Sequence, residues 1–161
     1  MNILETLPVL SALAAPSVSA LDISMKDKIV NLEKEMMKMP QVYVPVKHHF
    51  ANGLYARQIT IPAGAALTSA VMLDSYLDIC VSGTISVMEP TGEYKVVTGP
   101  AIVTRQPGMK RVGYAHTETT WITCHATNAT TVEEVEAAIA VADYEGTPYV
   151  SQKTKLLEGQ L

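Results

Sequence analysis

The sequence predicts a mainly β protein, an antiparallel barrel or double-sheet jelly roll with a helical segment at each end. Three observations carry this. Short apolar runs of strand-like composition recur between residues 42 and 126. Turn signals separate them at close, regular intervals. No helical period intervenes between them, which disfavours a parallel sheet, whose neighbours need long crossovers.

The chain divides into 1–40, an apolar arm and amphipathic helix; 41–127, the β body; and 128–161, a C-terminal helix and polar tail. The arm MNILETLPVLSALAAPSVSA is interrupted by Pro8 and Pro16, and Glu5 precedes the first basic residue, Lys26. It therefore reads as a docking arm, with Leu4, Leu7, Leu10 and Leu13 as docking residues, and not as a secretory signal or a membrane span. Over 24–39, Met25, Ile29, Leu32, Met36 and Met39 recur at helical spacing, and Pro40 stops the helix. Ser24 and Asp27 resemble a capping box, and the Met-rich stripe is expected to pack on its own domain.

In the body the expected strands are 42–46, 54–61, 76–81, 85–90, 93–97, 101–105 and 119–126. Asn52-Gly53, Pro62-Ala63-Gly64, Ser82-Gly83, Thr91-Gly92, Gly99-Pro100 and Pro107-Gly108 mark turns between them. A second helix is expected over 130–141: Thr131 and Glu134 form a capping box, and acidic residues sit where the helix dipole favours them. Val132, Val135 and Ile139, with Ala138, give its apolar face.

A chain of 161 residues can bury about two-thirds of its unfolded surface, so it needs no disulfide or metal to fold. With 48% apolar and 17% charged residues it is not a disordered chain. Its net charge is −4 and its Lys and Arg form no extended cluster, which argues against nucleic acid as a partner. Cys80 and Cys124 lie in apolar runs without a CxxC partner and read as small buried hydrophobes. Phosphate-binding, dinucleotide-binding, HExxH and GxSxG motifs are all missing.

The body resembles the cupin superfamily in spacing. The first cupin motif runs Gly, five residues, His-x-His, three or four residues, Glu, six residues, Gly; Gly64 and Gly83 stand at that separation. The second carries Pro-x-Gly, then two residues, then a His, and Gln106-Pro107-Gly108 fills that turn, with Gln where Pro is expected and Gly99 one place off the preceding Gly. The resemblance places the four metal ligands at Ala70, Met72, Tyr76 and Arg111. Ala70 has no donor, Met72 is a soft thioether, Tyr76 suits hard ions poorly, and Arg111 is a permanent cation. The scaffold is kept and the metal chemistry is dropped, so neither a cofactor nor catalysis is expected.

Within the superfamily the chain is similar to small cupin-like proteins of tailed bacteriophages. The likeness rests on VKHHFANGLYARQITIPAGAALTS (46–69), QPGMKRVGYAHTETTWITCHAT (106–127) and TTVEEVEAAI (130–139), about half the chain. Members of that group often keep His where Ala70, Met72 and Tyr76 stand. The resemblance implies a phage protein of the virion or host cytoplasm, a structural or assembly component. Its expected partners are other phage structural proteins or a second copy, reached through the arm.

Two other readings stay open. Arg105, Lys110 and Arg111 are the one local basic concentration. They are either turn charges and rim salt bridges or an anion site at the barrel mouth, with Arg111, Tyr76 and Tyr114 as contacts. The second makes the chain a small-molecule or anion binding module, or an inhibitor of a host factor. A cupin-type isomerase or dioxygenase would need a relocated metal site built from His48, His49, His116 and His125. Adjacent His48 and His49 on a strand would face opposite sides.

Overall fold

The computed structural model describes residues 25–89, 91–108 and 110–141. Helix α1 (Met25–Met36) is followed by β1 (Val46–Ala51), β2 (Leu54–Ile61), β3 (Ala66–Thr68), β4 (Val71–Met72), β5 (Tyr76–Ser82) and β6 (Thr84–Met88). Then come β7 (Tyr94–Thr98), β8 (Ala101–Arg105), β9 (Val112–Ala115), β10 (Thr119–Ala126), helix α2 (Val132–Ile139) and β11 (Ala140–Val141). Every strand pairing is antiparallel. The larger sheet has the order β1-β2-β10-β5-β8, a second has β3-β9-β6-β7, and β11 pairs with β4. The jelly roll is thus a double sheet, and its ladders do not close into one barrel.

The two sheets meet face to face. Ile59 and Ile61 of β2, Cys80 of β5 and Trp121 of β10 pack with Ile85 and Val87 of β6, Val97 of β7 and Ala115 of β9. On β5 the side chains alternate, with Tyr76, Asp78 and Cys80 buried and Leu77 and Val81 exposed, as one covered face requires. The same period places Trp121 and His125 inward on β10.

Three departures from expectation have local causes. The expected strand at 42–46 is not formed: Pro45 interrupts it, and the strand starts at Val46 as an exposed edge running through Lys47, His48 and His49. It joins β2 through Asn52-Gly53, the two-residue loop expected between paired Ala51 and Leu54. Strands β3, β4 and β9 are too short for an alternation to register. Helix α2 keeps its capping box but ends at Ile139, because Ala140 and Val141 extend to pair with β4.

The stripe of α1 packs on the body: Ile29 is buried against Met88 and Val112, with Met25 and Leu32 beside it, whereas Met39 is exposed. The arm with Leu4, Leu7, Leu10 and Leu13, the capping residue Ser24 and the tail from 142 lie outside the described residues. Among the described residues, no helix is long and apolar enough to cross a membrane.

Gly83, the closing glycine of the first motif, has φ +88. A Cβ there would run into the backbone oxygen of Glu118 and the Cα of Thr119. Gly83→Ala is expected to lose about 1–3 kcal/mol of stability through backbone strain, read as a lower urea midpoint with an unchanged slope.

Candidate functional site

The segments that carry the motif positions are tied through their backbones. Ser69 beside Ala70 donates its backbone N–H to the Arg111 carbonyl, and the Arg111 N–H donates to Ser69 Oγ. Gly108 of the Pro-Gly turn donates to the Met72 carbonyl. The Arg111 guanidinium lies close enough to Tyr76 to favour its ionised form, although burial outweighs it. No donor set for a divalent ion results, because the four positions hold a methyl, a thioether, a phenol and a permanent cation. The residues do not fit the cupin metal.

What stands there is a network of charges between the sheets. Arg105 closes β8 opposite Tyr76 in register. Its Nε donates to Asp78 Oδ2 at 2.8 Å and its Nη1 to Glu89 Oε1 at 2.9 Å. Arg111 Nη1 donates to the other Glu89 oxygen at 3.4 Å. Trp121 Nε1 donates to Asp78 Oδ1 at 3.0 Å, so both Asp78 oxygens are held. Two buried guanidinium atoms, Arg105 Nη2 and Arg111 Nε, have no hydrogen-bond partner among the described residues. Buried N–H groups of this kind are costly unless they meet an acceptor.

Electrostatics follow from burial. Burial pushes the Asp78 carboxyl up against the pull of Arg105 and Trp121. Desolvation also works against the Arg105 cation, but its bonds to Asp78 and Glu89 outweigh it and hold its proton. The short charge-assisted geometry is that of an ionised pair. Burial first, and Asp78 second, push the Tyr76 hydroxyl up to about 12, so it stays protonated. Its ring stacks on His125 with centroids 4.8 Å apart. Burial, helped by Arg57, pulls His125 down to about 4.

Of the expected contacts, Arg111 and Tyr76 belong to this network and Tyr114 does not. Tyr114 pairs in register with Ser86, on the sheet face opposite buried Ile85 and Val87, and packs edge-on against His116. Arg105, Lys110 and Arg111 are not solvated turn charges: all three are buried and ion-paired. Lys110 belongs to a separate pair with Glu33 of α1.

The relocated metal site is not assembled. His48 bonds the Tyr55 hydroxyl, His49 bonds Gln58 on the opposite face, His116 bonds Ser86 in the other sheet, and His125 lies inside. Among the described residues, no three His, Cys, Asp or Glu side chains group to hold an ion. Burial raises both Cys80 and Cys124, which disfavours a nucleophilic thiolate. Sequence reasoning missed Asp78 and Glu89. The signal for Asp78 was its place two residues after Tyr76 on one strand, which puts both on one face.

No family model and no curated protein matches the sequence. Solved structures do match. Ectoine synthase from P. lautus superposes with a TM-score of 0.50 at 13% identity, covering 69% of this chain and 86% of that one. The Cupin_2 domain of an XRE family transcriptional regulator from Enterobacter cloacae gives 0.46 at 13% identity, over 53% and 98% of the two chains. An RmlC-like cupin from Methanocaldococcus jannaschii gives 0.46 at 12%, over 53% and 82%. At such identities the likeness is one of fold. The chain has the cupin jelly-roll fold, with two short helices added.

Proposed function

We propose that this chain is a non-catalytic binding module of cupin fold, in which two arginines take the place of the metal as the positive centre and receive a small anionic ligand. The observation that carries this is the pair of buried, unpartnered N–H groups on Arg105 and Arg111, two guanidinium groups bridged by one carboxylate, Glu89. An anion placed there would accept from both guanidinium groups in a water-poor setting, where such bonds are strong. Sodium glycolate at matched ionic strength should raise the melting temperature relative to sodium chloride, and Arg111→Ala should abolish the rise. An equal response of the two proteins would reject the site.

A second reading has support of its own. Leu77, Val81 and Ile102 are 41%, 44% and 69% exposed and share the outer face of the larger sheet. An exposed apolar patch of this kind on β5 and β8 suits self-association. It supports the role of a phage virion or assembly component, in the particle or the host cytoplasm, associating with further copies through this face and the arm with Leu4, Leu7, Leu10 and Leu13. Light scattering should give an oligomer that falls to monomer when residues 1–22 are deleted, and a monomeric full-length chain would reject it.

A further inference from the structure

We propose that the Glu89 carboxylate is the chain's own occupant of a carboxylate site, and that a small carboxylic acid bearing a neighbouring oxygen, such as a 2-hydroxy acid, exchanges with it across Arg105 and Arg111. This rests on the binding role proposed above and names its ligand class.

The bridging geometry comes first. One oxygen of Glu89 accepts from Arg105 and the other from Arg111, so a single carboxylate spans two guanidinium groups. Accessibility separates the partners. The Arg105 and Arg111 side chains are 2% and 9% exposed, whereas Glu89 is 28% exposed and lies just beyond the end of β6. The cations are fixed between the sheets and the bridging anion is the member solvent can reach. Asp78 is the permanent counter-ion, buried and held on both oxygens by Arg105 and Trp121.

Charge decides between addition and exchange. Two arginines already face two carboxylates, so a further anion would leave buried net charge, which is costly. Exchanging Glu89 for a free carboxylate leaves the charge unchanged. A tethered carboxylate competes at a high effective concentration, so a free one must gain something in return. Arg105 Nη2 and Arg111 Nε supply that gain, since Glu89 leaves both without an acceptor. A carboxylate with an adjacent hydroxyl or oxo oxygen brings the extra acceptor.

The test is chemical rescue in the full-length chain with sodium glycolate as probe. Glu89→Ala should melt below wild type in chloride, regain that loss in glycolate, and bind glycolate about tenfold or more tightly than wild type once its internal competitor is gone. Acetate should bind Glu89→Ala more weakly than glycolate. Glu33→Ala removes a carboxylate buried beside Lys110, away from this network, and should show no rescue. If Glu89→Ala is too unstable to purify, Glu89→Gln, read by calorimetry, should show the same gain in glycolate affinity. Equal glycolate affinity of wild type and the Glu89 variants would overturn the exchange while leaving the anion site standing. Equal rescue of Glu33→Ala would overturn it as a non-specific effect, and no response from any protein would remove both readings.

Discussion

Lys110→Ala should lower the unfolding free energy by about 3–5 kcal/mol, because it leaves the Glu33 carboxylate buried without its cation. The Lys110 ammonium donates to both Glu33 oxygens, at 2.8 and 3.1 Å, and Thr68 donates to one of them at 2.8 Å. Both charged side chains are almost wholly out of solvent. A charge in that setting is tolerated only while it is paired and hydrogen-bonded. The pair ties α1 to a turn more than seventy positions later, so its loss should also free the helix from Met88 and Val112. Urea unfolding gives the energy, and proteolysis within 25–36 reports the undocking. Glu33→Leu combined with Lys110→Met should recover most of the loss, since apolar replacement of a whole buried pair is often neutral. A double variant as unstable as the single one would show that packing around Lys110, and not its charge, is what matters.

Acid should cost the fold about 3 kcal/mol through His125 alone between pH 6.5 and 4. Its ring is neutral in the folded chain down to about 4, whereas an unfolded imidazole takes a proton near 6.5. Above 6.5 both states are neutral and nothing is lost. As pH falls below 6.5 the unfolded state binds a proton the folded state refuses, and stability drops until the folded group titrates too. Asp78 acts in the opposite sense, because burial raises its folded value and acid favours that protonated form. The two are separated by His125→Phe, which keeps a ring against Tyr76 and removes the titrating nitrogen. The stability difference between His125→Phe and wild type should shift by about 3 kcal/mol over that range. A constant difference would show that His125 is protonated, or solvated, in the folded state.

Much of this was legible in the sequence because it is periodic. The runs YLDICV and TTWITCHA marked two strands, while which of their faces turns inward came only with the second sheet, and the Thr131–Glu134 box marked the second helix start. Edge strand β1 was hidden because its partner lies on one side only and its exposed residues alternate in nothing. The charges were harder. Glu33 follows Leu32 and lies one turn on from Ile29 on α1, and a single acid beside an apolar stripe looks like a flank position until Lys110 is brought against it. Pairing between groups so far apart in sequence has no local signature. The same holds for Glu89, which meets Arg105 and Arg111 only after β6, β8 and β9 have taken their places.

The order of the larger sheet has a consequence for how the chain comes to be folded. Its middle strand, β10, pairs with β2 on one side and β5 on the other, matching Thr119 with Ile61 across nearly sixty residues. A nascent chain that has made β1, β2 and β5 therefore carries two half-built sheet edges, and their filler is among the last strands translated. Such distant pairings must close large loops before any contact rewards them, which places refolding in the millisecond-to-second range of non-local β topologies. During that wait the inner faces of β2 and β5, with Ile59, Ile61 and Cys80, have no cover, so crowded synthesis is when this protein is most exposed to aggregation.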